Sequence, residues 1–178
     1  VAQLLAVTGP PGAGKSTAAR VLAARFARSV LVEGDAFFNF LAAGAIEPWR
    51  PESDAQNDVV TRAAAAATGA FVRGGFDAVY DGVLGPWFLP VFAHATGLDA
   101  LHYVVLMPDV ERCVRRVDER HHHAFRDEAA TRKMHREFAV ATVEDRHVLR
   151  DPPDDVEAVV TAIVAGVESG RFAYAVGS

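Results

Sequence analysis

The sequence predicts an α/β fold, with a mostly parallel sheet carrying helices on both faces. Three observations predict it. Short apolar runs alternate with longer helical patterns along the whole chain, which is the order of repeated β-α-β units. Runs such as Val1–Thr8 (VAQLLAVT) and Leu101–Leu106 (LHYVVL) are apolar almost throughout. Strands buried on both faces read this way, whereas half-exposed strands alternate. The first run also passes through a tight Gly/Pro turn, Gly9–Gly14, directly into a helical pattern. With 178 residues, 51% of them hydrophobic, the chain can bury a sizeable core, and a single domain over 1–178 is expected.

The elements follow in order. After the first strand and its turn, Lys15–Ala27 places Ala18, Val21, Leu22 and Phe26 at helical spacing. Val30–Val32 is a second strand, ending at Glu33-Gly34-Asp35, and Asp35–Ala43 suits a short helix. Gly44–Ser53 is a loop holding Pro48, Trp49, Arg50 and Pro51. Ser53 or Asp54 can cap a long helix reaching Arg73, where Gly74-Gly75 ends it. Its Ala63–Ala67 run is strongly helix-forming. Phe76–Tyr80 is the third strand, followed by Asp81-Gly82. Pro86–Thr96 is helical, and Leu101–Leu106 is the fourth strand. Asp109 caps a helix to about Arg120, and His121–Arg126 is a loop. Asp127 caps a helix to about Thr142. His147–Leu149 is a weak fifth strand, and Val156–Glu168 is the last helix.

Composition excludes several classes. Cys113 is the sole cysteine, so no disulfide forms within the chain and a zinc site of Cys and His is disfavoured. No apolar run approaches the ~20 residues of a membrane span, and Val1–Val7 is short and lacks the basic n-region of a signal peptide, so a cytoplasmic protein that binds no membrane is expected. A net charge of −5 implies no basic surface for nucleic acid. Sixteen of the 18 basic residues are Arg, leaving only Lys15 and Lys133. A lysine in such a chain marks a place where arginine does not serve.

Gly9-Pro10-Pro11-Gly12-Ala13-Gly14-Lys15-Ser16 fits G-x-x-x-x-G-K-[ST] without a mismatch, between a strand and a helix as the motif requires. Glycines let backbone N–H groups wrap a phosphate chain, and the following helix N-terminus adds partial positive charge. Lys15 supplies a point charge for the β- and γ-phosphates, Ser16 a hydroxyl for Mg²⁺, and Thr17 reaches the α-phosphate.

The loop alone fits kinases, GTPases and motor ATPases. No N-K-x-D segment is present to read guanine, and 178 residues leave no second domain to move, which disfavours motor and AAA+ readings. Gly9–Thr17 (GPPGAGKST), Asp35 after the second strand, Asp81-Gly82 after the third and the Arg-rich helix after the fourth resemble the small P-loop kinases. That family includes gluconate kinase, shikimate kinase, chloramphenicol phosphotransferase and zeta-toxin-like kinases. The resemblance implies a three-layer P-loop NTPase fold, with a five-stranded parallel sheet in the order 2-3-1-4-5 and a short Arg-bearing lid at about 112–132. It implies an ATP- and Mg²⁺-dependent kinase acting on a hydroxyl of a small molecule.

The remaining candidates are placed by that resemblance and by residue chemistry. Asp35 stands at the carboxyl edge of the sheet, where ligands bind in open α/β folds. The resemblance implies that it anchors the acceptor hydroxyl or takes its proton. Glu33 is the alternative two residues back, expected on the same face but deeper in, and capping of Ala36–Ala43 is the structural role open to Asp35. Asp81 can hold Mg²⁺ through water or touch substrate. Gly82-Val83-Leu84-Gly85-Pro86-Trp87 lacks the arginine that nucleoside monophosphate kinases carry there, which favours an uncharged hydroxyl acceptor. Trp87 can pack on that acceptor, although a place in the core is the slightly stronger expectation. Arg112, Arg116 and Arg120 share a helix face. The resemblance puts Arg116 near adenine and Arg120 on the transferring phosphate, while interleaved Glu111, Asp118 and Glu119 suit a solvated face instead. Arg126 and Arg132 are weaker candidates. His121-His122-His123 reads as a helix C-terminus rather than a metal site. Trp49, Arg50, Gln56, Asn57 and Arg62 lie where the family covers the acceptor, with Arg50 and Asn57 chosen as contacts. Pro152 follows the fifth strand, where related kinases border adenine. Two other readings remain: a nucleotide monophosphate kinase, and a nucleotide-binding regulatory switch with no acceptor. A kinase requires a second pocket beside the γ-phosphate, lined by Asp35 and the 49–62 segment; a switch requires none.

Overall fold

The computed structural model describes residues 1–119 and 127–177. The elements alternate as follows: β1 (Leu4–Thr8), α1 (Lys15–Ala23), β2 (Ser29–Glu33), α2 (Asp54–Arg73), β3 (Asp77–Asp81), α3 (Leu89–Thr96), β4 (Ala100–Met107), α4 (Val110–Asp118), α5 (Glu128–Val140), β5 (Val148–Arg150), α6 (Val156–Glu168) and β6 (Ala173–Ala175). Three short 3₁₀ turns, Gly34–Phe40, Pro51–Ser53 and Asp145–His147, lie between them.

The strands pair in the order β2-β3-β1-β4-β5, all parallel, as expected. The sheet has a sixth strand that the sequence reading missed: β6 runs antiparallel to β4. β4 is eight residues long, so its outer edge serves two short partners. Val105–Met107 pair with β5, and Ala100–His102 pair with β6. Ala173-Tyr174-Ala175 has no strand pattern of its own; the free end of β4 makes it a strand.

Side-chain alternation along the central strands divides the core. Leu4 and Ala6 face one layer with Ala64, Ala65 and Phe92 of α2 and α3. Leu5 and Val7 face the other with Leu22 of α1 and Val160 and Ile163 of α6. Burial on both faces explains why β1 is apolar at every position but its last. The polar exception, Thr8, donates its hydroxyl to the carbonyl of Leu84 at 3.0 Å and accepts from the Leu84 N–H at 2.8 Å. That pair ties the end of β1 to the segment after β3.

Most boundaries agree with the sequence reading, and α2 and α6 agree at both ends. Asp109, Asp127 and Asp155 cap α4, α5 and α6 by accepting backbone N–H bonds. Four expectations need correction. α1 stops at Ala23 rather than Ala27. α3 begins at Leu89, because residues from Gly85 make a turn in which Phe88 N donates to Gly85 O at 2.9 Å. The expected helix Asp35–Ala43 is a 3₁₀ turn from Gly34 to Phe40 that no side chain caps, so Asp35 is not a cap. Ser53 precedes α2 without capping it; its hydroxyl bonds the carbonyls of Pro48 and Arg50 instead.

β1 is the strand at which connections turn from one side of the sheet to the other, so the crevice for a ligand opens beyond its carboxyl end. The segment Gly9–Gly14 lies there.

Candidate functional site

The loop after β1 needs its glycines for identifiable reasons. Gly9 has φ +143°, and a Cβ there would sit 2.2 Å from the carbonyl oxygen of Leu106 on β4. Gly12 has φ +81° and would strike the carbonyl of Cys113 on α4 at 2.3 Å. The loop thus presses onto β4 and α4, and no larger residue fits at either place. Cys113 is buried beneath it, with its thiol pushed up to about 11 by burial, so it is a packing residue. Lys15 is 9% exposed and donates from Nζ to the carbonyl of Pro10 at 3.0 Å, which holds its charge across the loop.

Beside the loop stand the ends of β2 and β3. Glu33 and Asp81 are register partners across them. Asp81 is 7% exposed. Burial raises its carboxyl above the usual range, and Asp35 and Glu33 raise it further, whereas a hydrogen bond with Ser16 and the Lys15 charge act the other way. Lys15, Ser16, Glu33, Asp35 and Asp81 therefore form one electrostatic cluster. Tyr80 lies beneath, its phenol held protonated chiefly by burial. A Cβ at Gly34 would meet the Tyr80 hydroxyl at 2.1 Å, so glycine there lets the chain cross Tyr80 and bring Asp35 to the cluster. Asp35 is exposed. Glu33 is exposed too, and its Oε1 pairs with Arg20 at 3.3 Å; the deeper setting expected for Glu33 is not found.

The chemistry of these groups fits Mg²⁺. Ser16 and Asp81 supply one hydroxyl and one carboxylate, all oxygen, a partial set of the kind Mg²⁺ completes with phosphate oxygens and water. No group of three or more His, Cys, Asp or Glu side chains able to hold an ion occurs among the described residues.

Two hollows open on either side of β1. A cleft of about 330 Å³ is bordered by Ala13, Gly14, Thr17, Arg116, Pro152 and Asp154. Arg116 reaches toward the loop, with Nη1 at 3.5 Å from the carbonyl of Gly12, and pairs with Asp154 at 3.0 Å. Arg112 also bonds Asp154, and donates to the carbonyl of Pro152 at 2.5 Å. The turn carrying Pro152 follows Asp151, whose φ of +43° is unusual for a residue other than glycine.

A cavity of about 1480 Å³ lies on the β2–β3 side. Lys15, Ser16, Asp35 and Asp81 border it, and Trp49, Arg50 and Asn57 come from the 49–62 segment. The second hollow required of a kinase is thus present. Within that segment the roles divide. Gln56 is structural, exchanging two hydrogen bonds with the backbone of Ile46 at 2.8 and 2.7 Å. Arg62 pairs with Asp58 at 2.7 Å and does not border the cavity. Arg50 borders it while paired with Glu47 at 2.6 Å. Asn57 donates to Pro48 and Ser53, and its buried Oδ1 has no partner.

Trp87 corrects the expectation of a core residue: it is 44% exposed and borders the cavity, with its ring 5.3 Å from that of Phe138. Arg132 pairs with Glu111 and Glu128 and is no part of either hollow. Arg120, His121-His122-His123 and Arg126 lie outside the described residues. Sequence reasoning missed the face of α5 that lines the cavity with Ala130, Lys133, Met134, Arg136 and Glu137. Its signal was the rarity of lysine, which had marked Lys133 without placing it.

A family model described as an AAA domain matches residues 4–141. The span holds the phosphate loop and every element from β1 to α5. Its description carries the AAA label that chain length was expected to disfavour. No curated protein matches this chain. Among solved structures, it is similar to a sugar kinase from Janibacter (17% identity, TM-score 0.71, covering 94% of this chain and 95% of that one). It is also similar to the APS kinase CysC of Mycobacterium tuberculosis (14%, 0.68, 94% and 98%) and to the tunicamycin resistance protein of Deinococcus radiodurans (14%, 0.69, 94% and 96%). At these identities the likeness is one of fold.

Proposed function

The chain belongs to the AAA-domain family of P-loop proteins, and from that premise we propose that it is an ATP- and Mg²⁺-dependent kinase for a hydroxyl group on a small molecule. The observation that carries this reading is the pair of hollows flanking one phosphate loop. A switch needs only the nucleotide cleft, whereas transfer needs a place for an acceptor in line with the γ-phosphate. The missing arginine in Gly82–Trp87 supports an uncharged acceptor over a nucleotide monophosphate. One domain over 1–178 with a lid at about 112–132 carries the whole activity in this reading.

ATP lies along Gly9–Thr17, with adenine between Arg116 and the backbone at Pro152. Lys15 meets the β- and γ-phosphates. Ser16, and Asp81 through water, would hold Mg²⁺, which would supply neutralisation of charge on the phosphates. The acceptor enters the larger cavity, contacted by Arg50, Asn57, Asp81 and Trp87, and Asp35 orients its hydroxyl. The hydroxyl oxygen bonds to the γ-phosphorus as the bond to the β–γ bridging oxygen breaks. ADP leaves with that electron pair, and the hydroxyl proton passes to Asp35. Positioning and charge stabilisation supply the rate. Arg120 is assigned to the transferring phosphate on the resemblance alone.

The test is ADP release from ATP with a library of hydroxylated compounds. At least one compound should raise ADP release well above hydrolysis, with a phosphate monoester as product. Hydrolysis that no compound accelerates would support the switch instead.

A further inference from the structure

Resting on the kinase reading, we infer that the acceptor is a drug-sized compound with a flat apolar ring system carrying the hydroxyl, and that Trp87 is the platform for the ring. Small polyols and sugar acids are excluded as the preferred class. The cavity, at about 1480 Å³, exceeds the ~300–1,000 Å³ usual for drug-sized ligands. The chain has two tryptophans, Trp49 and Trp87, and both border this cavity, 38% and 44% exposed. Leaving indole area in water is unfavourable in proportion to that area, so a partner that covers it gains affinity.

Trp87 is built to stay in place. A Cβ at Gly85 would lie 2.2–2.4 Å from Cζ2, Cε2 and Cη2 of the indole, so the ring rests against backbone that only glycine leaves open. Phe138 of α5 braces it at a tilted, edge-type contact. The segment beneath is fixed by Leu84, whose carbonyl accepts from Tyr103 at 2.7 Å and from Thr8 at 3.0 Å. Such an indole loses little freedom when a ligand stacks on it.

Polarity across the cavity points the same way. Val83, Pro86 and Phe88 adjoin Trp87, and Met134 faces in from α5. A polyol stacked there would lose hydrogen bonds to water that these side chains cannot replace. At the phosphate end Asp35 lies near enough to Asp81 to raise its carboxyl, while Asp54 and Glu137 border the cavity elsewhere. Carboxylates beside the phosphate loop and an apolar floor at Trp87 fit a ring compound whose hydroxyl points toward Asp35. Lys133 and Arg136, both exposed on α5, add cations.

The experiment uses the full chain with MgATP and an aryl series, benzyl alcohol, 2-phenylethanol and 2-(2-naphthyl)ethanol, against gluconate and glycerol. Both tryptophans lie at the cavity, so quenching of their emission reads binding while ADP release reads transfer. Affinity should rise about fivefold with the fused ring, in proportion to area covered. Trp87→Ala should abolish that increment, and Trp87→Phe should restore most of it. Gluconate or glycerol binding as well as the naphthyl compound, or a ring increment that survives Trp87→Ala, overturns the inference. If ring compounds quench with the stated increment yet no compound raises ADP release, the kinase reading fails and the ring site stands.

Discussion

On the side of the phosphate loop assigned to nucleotide, charges are already engaged. Asp154 holds both Arg112 and Arg116, and Arg112 also grips the Pro152 carbonyl. On the side assigned to the acceptor, the cavity is over four times larger, and its tryptophans are half-exposed. The first side presents arginines in a fixed arrangement, matched to a ligand of constant shape and charge. The second presents shape and apolar area, which select a ligand by fit more than by charge. Lys15 joins the two, bordering the acceptor cavity while bonded to the loop. Lys15→Ala should therefore give the largest effect, a fall in turnover of about 10³ or more with any acceptor, the scale of a cation on a transferring phosphoryl group. Near-normal ADP release by a folded Lys15→Ala would dissolve the division into sides.

Two variants sharpen the comparison by acting on one side each. Asp35→Asn keeps shape and removes charge. Transfer to a hydroxyl should fall by about 10², the lower end for a positioned acid–base group, since Asp35 is exposed to water. The KM for ATP should move far less. Undiminished transfer would remove Asp35 from the mechanism and make Glu33 the residue to test, freed of its pairing with Arg20. Arg116→Ala should raise the KM for ATP about tenfold, the worth of one charge-assisted contact, with a small effect on the KM for the acceptor. The reverse pattern would put Arg116 on the acceptor side.

The same contrast governs how much was legible in the sequence. The phosphate loop is contiguous, and its glycines answer to backbone constraints that act locally, so Gly9–Thr17 reads from the sequence residue by residue. Asp35 and Asp81 were readable as strand ends, because a parallel sheet gathers its carboxyl ends at one edge. The acceptor wall was not readable. α5 reaches the cavity through Lys133 and Met134, with Lys133 lying 45 residues past Phe88, the last cavity residue before the α5 wall, and no local pattern encodes that approach. Trp87 was weighed as core because buried and ligand-covering tryptophans have the same apolar neighbours in sequence. Only Gly85 and Phe138 decide between them. β6 was missed for a related reason, since a three-residue strand owes its form to the edge of β4.

The smallest expected effect concerns stability, and it tests the carboxylate cluster where the two sides meet. Burial is the leading cause that raises the Asp81 carboxyl above its ordinary value. Between the unfolded and the raised folded value, the folded chain holds more protons than the unfolded one. Stability then falls as pH rises through that window, and the loss is complete above it. Asp81→Asn removes the buried charge while its amide oxygen can still accept from Ser16. Without nucleotide or Mg²⁺, the variant should melt higher than the parent at pH 7, by about 2–4 °C for each kcal/mol relieved in a chain of this size. At pH 4 the gap should narrow, because more of the parent carboxyl is protonated in the folded state there than at pH 7. Activity should move the opposite way, since Asn carries no charge to hold Mg²⁺ through water. Thermal melts of both proteins at the two pH values check the sign. A parent that melts higher than Asp81→Asn at pH 7 would mean that Lys15 and Ser16 outweigh burial, so that the charge at the end of β3 stabilises the fold as well as serving the site.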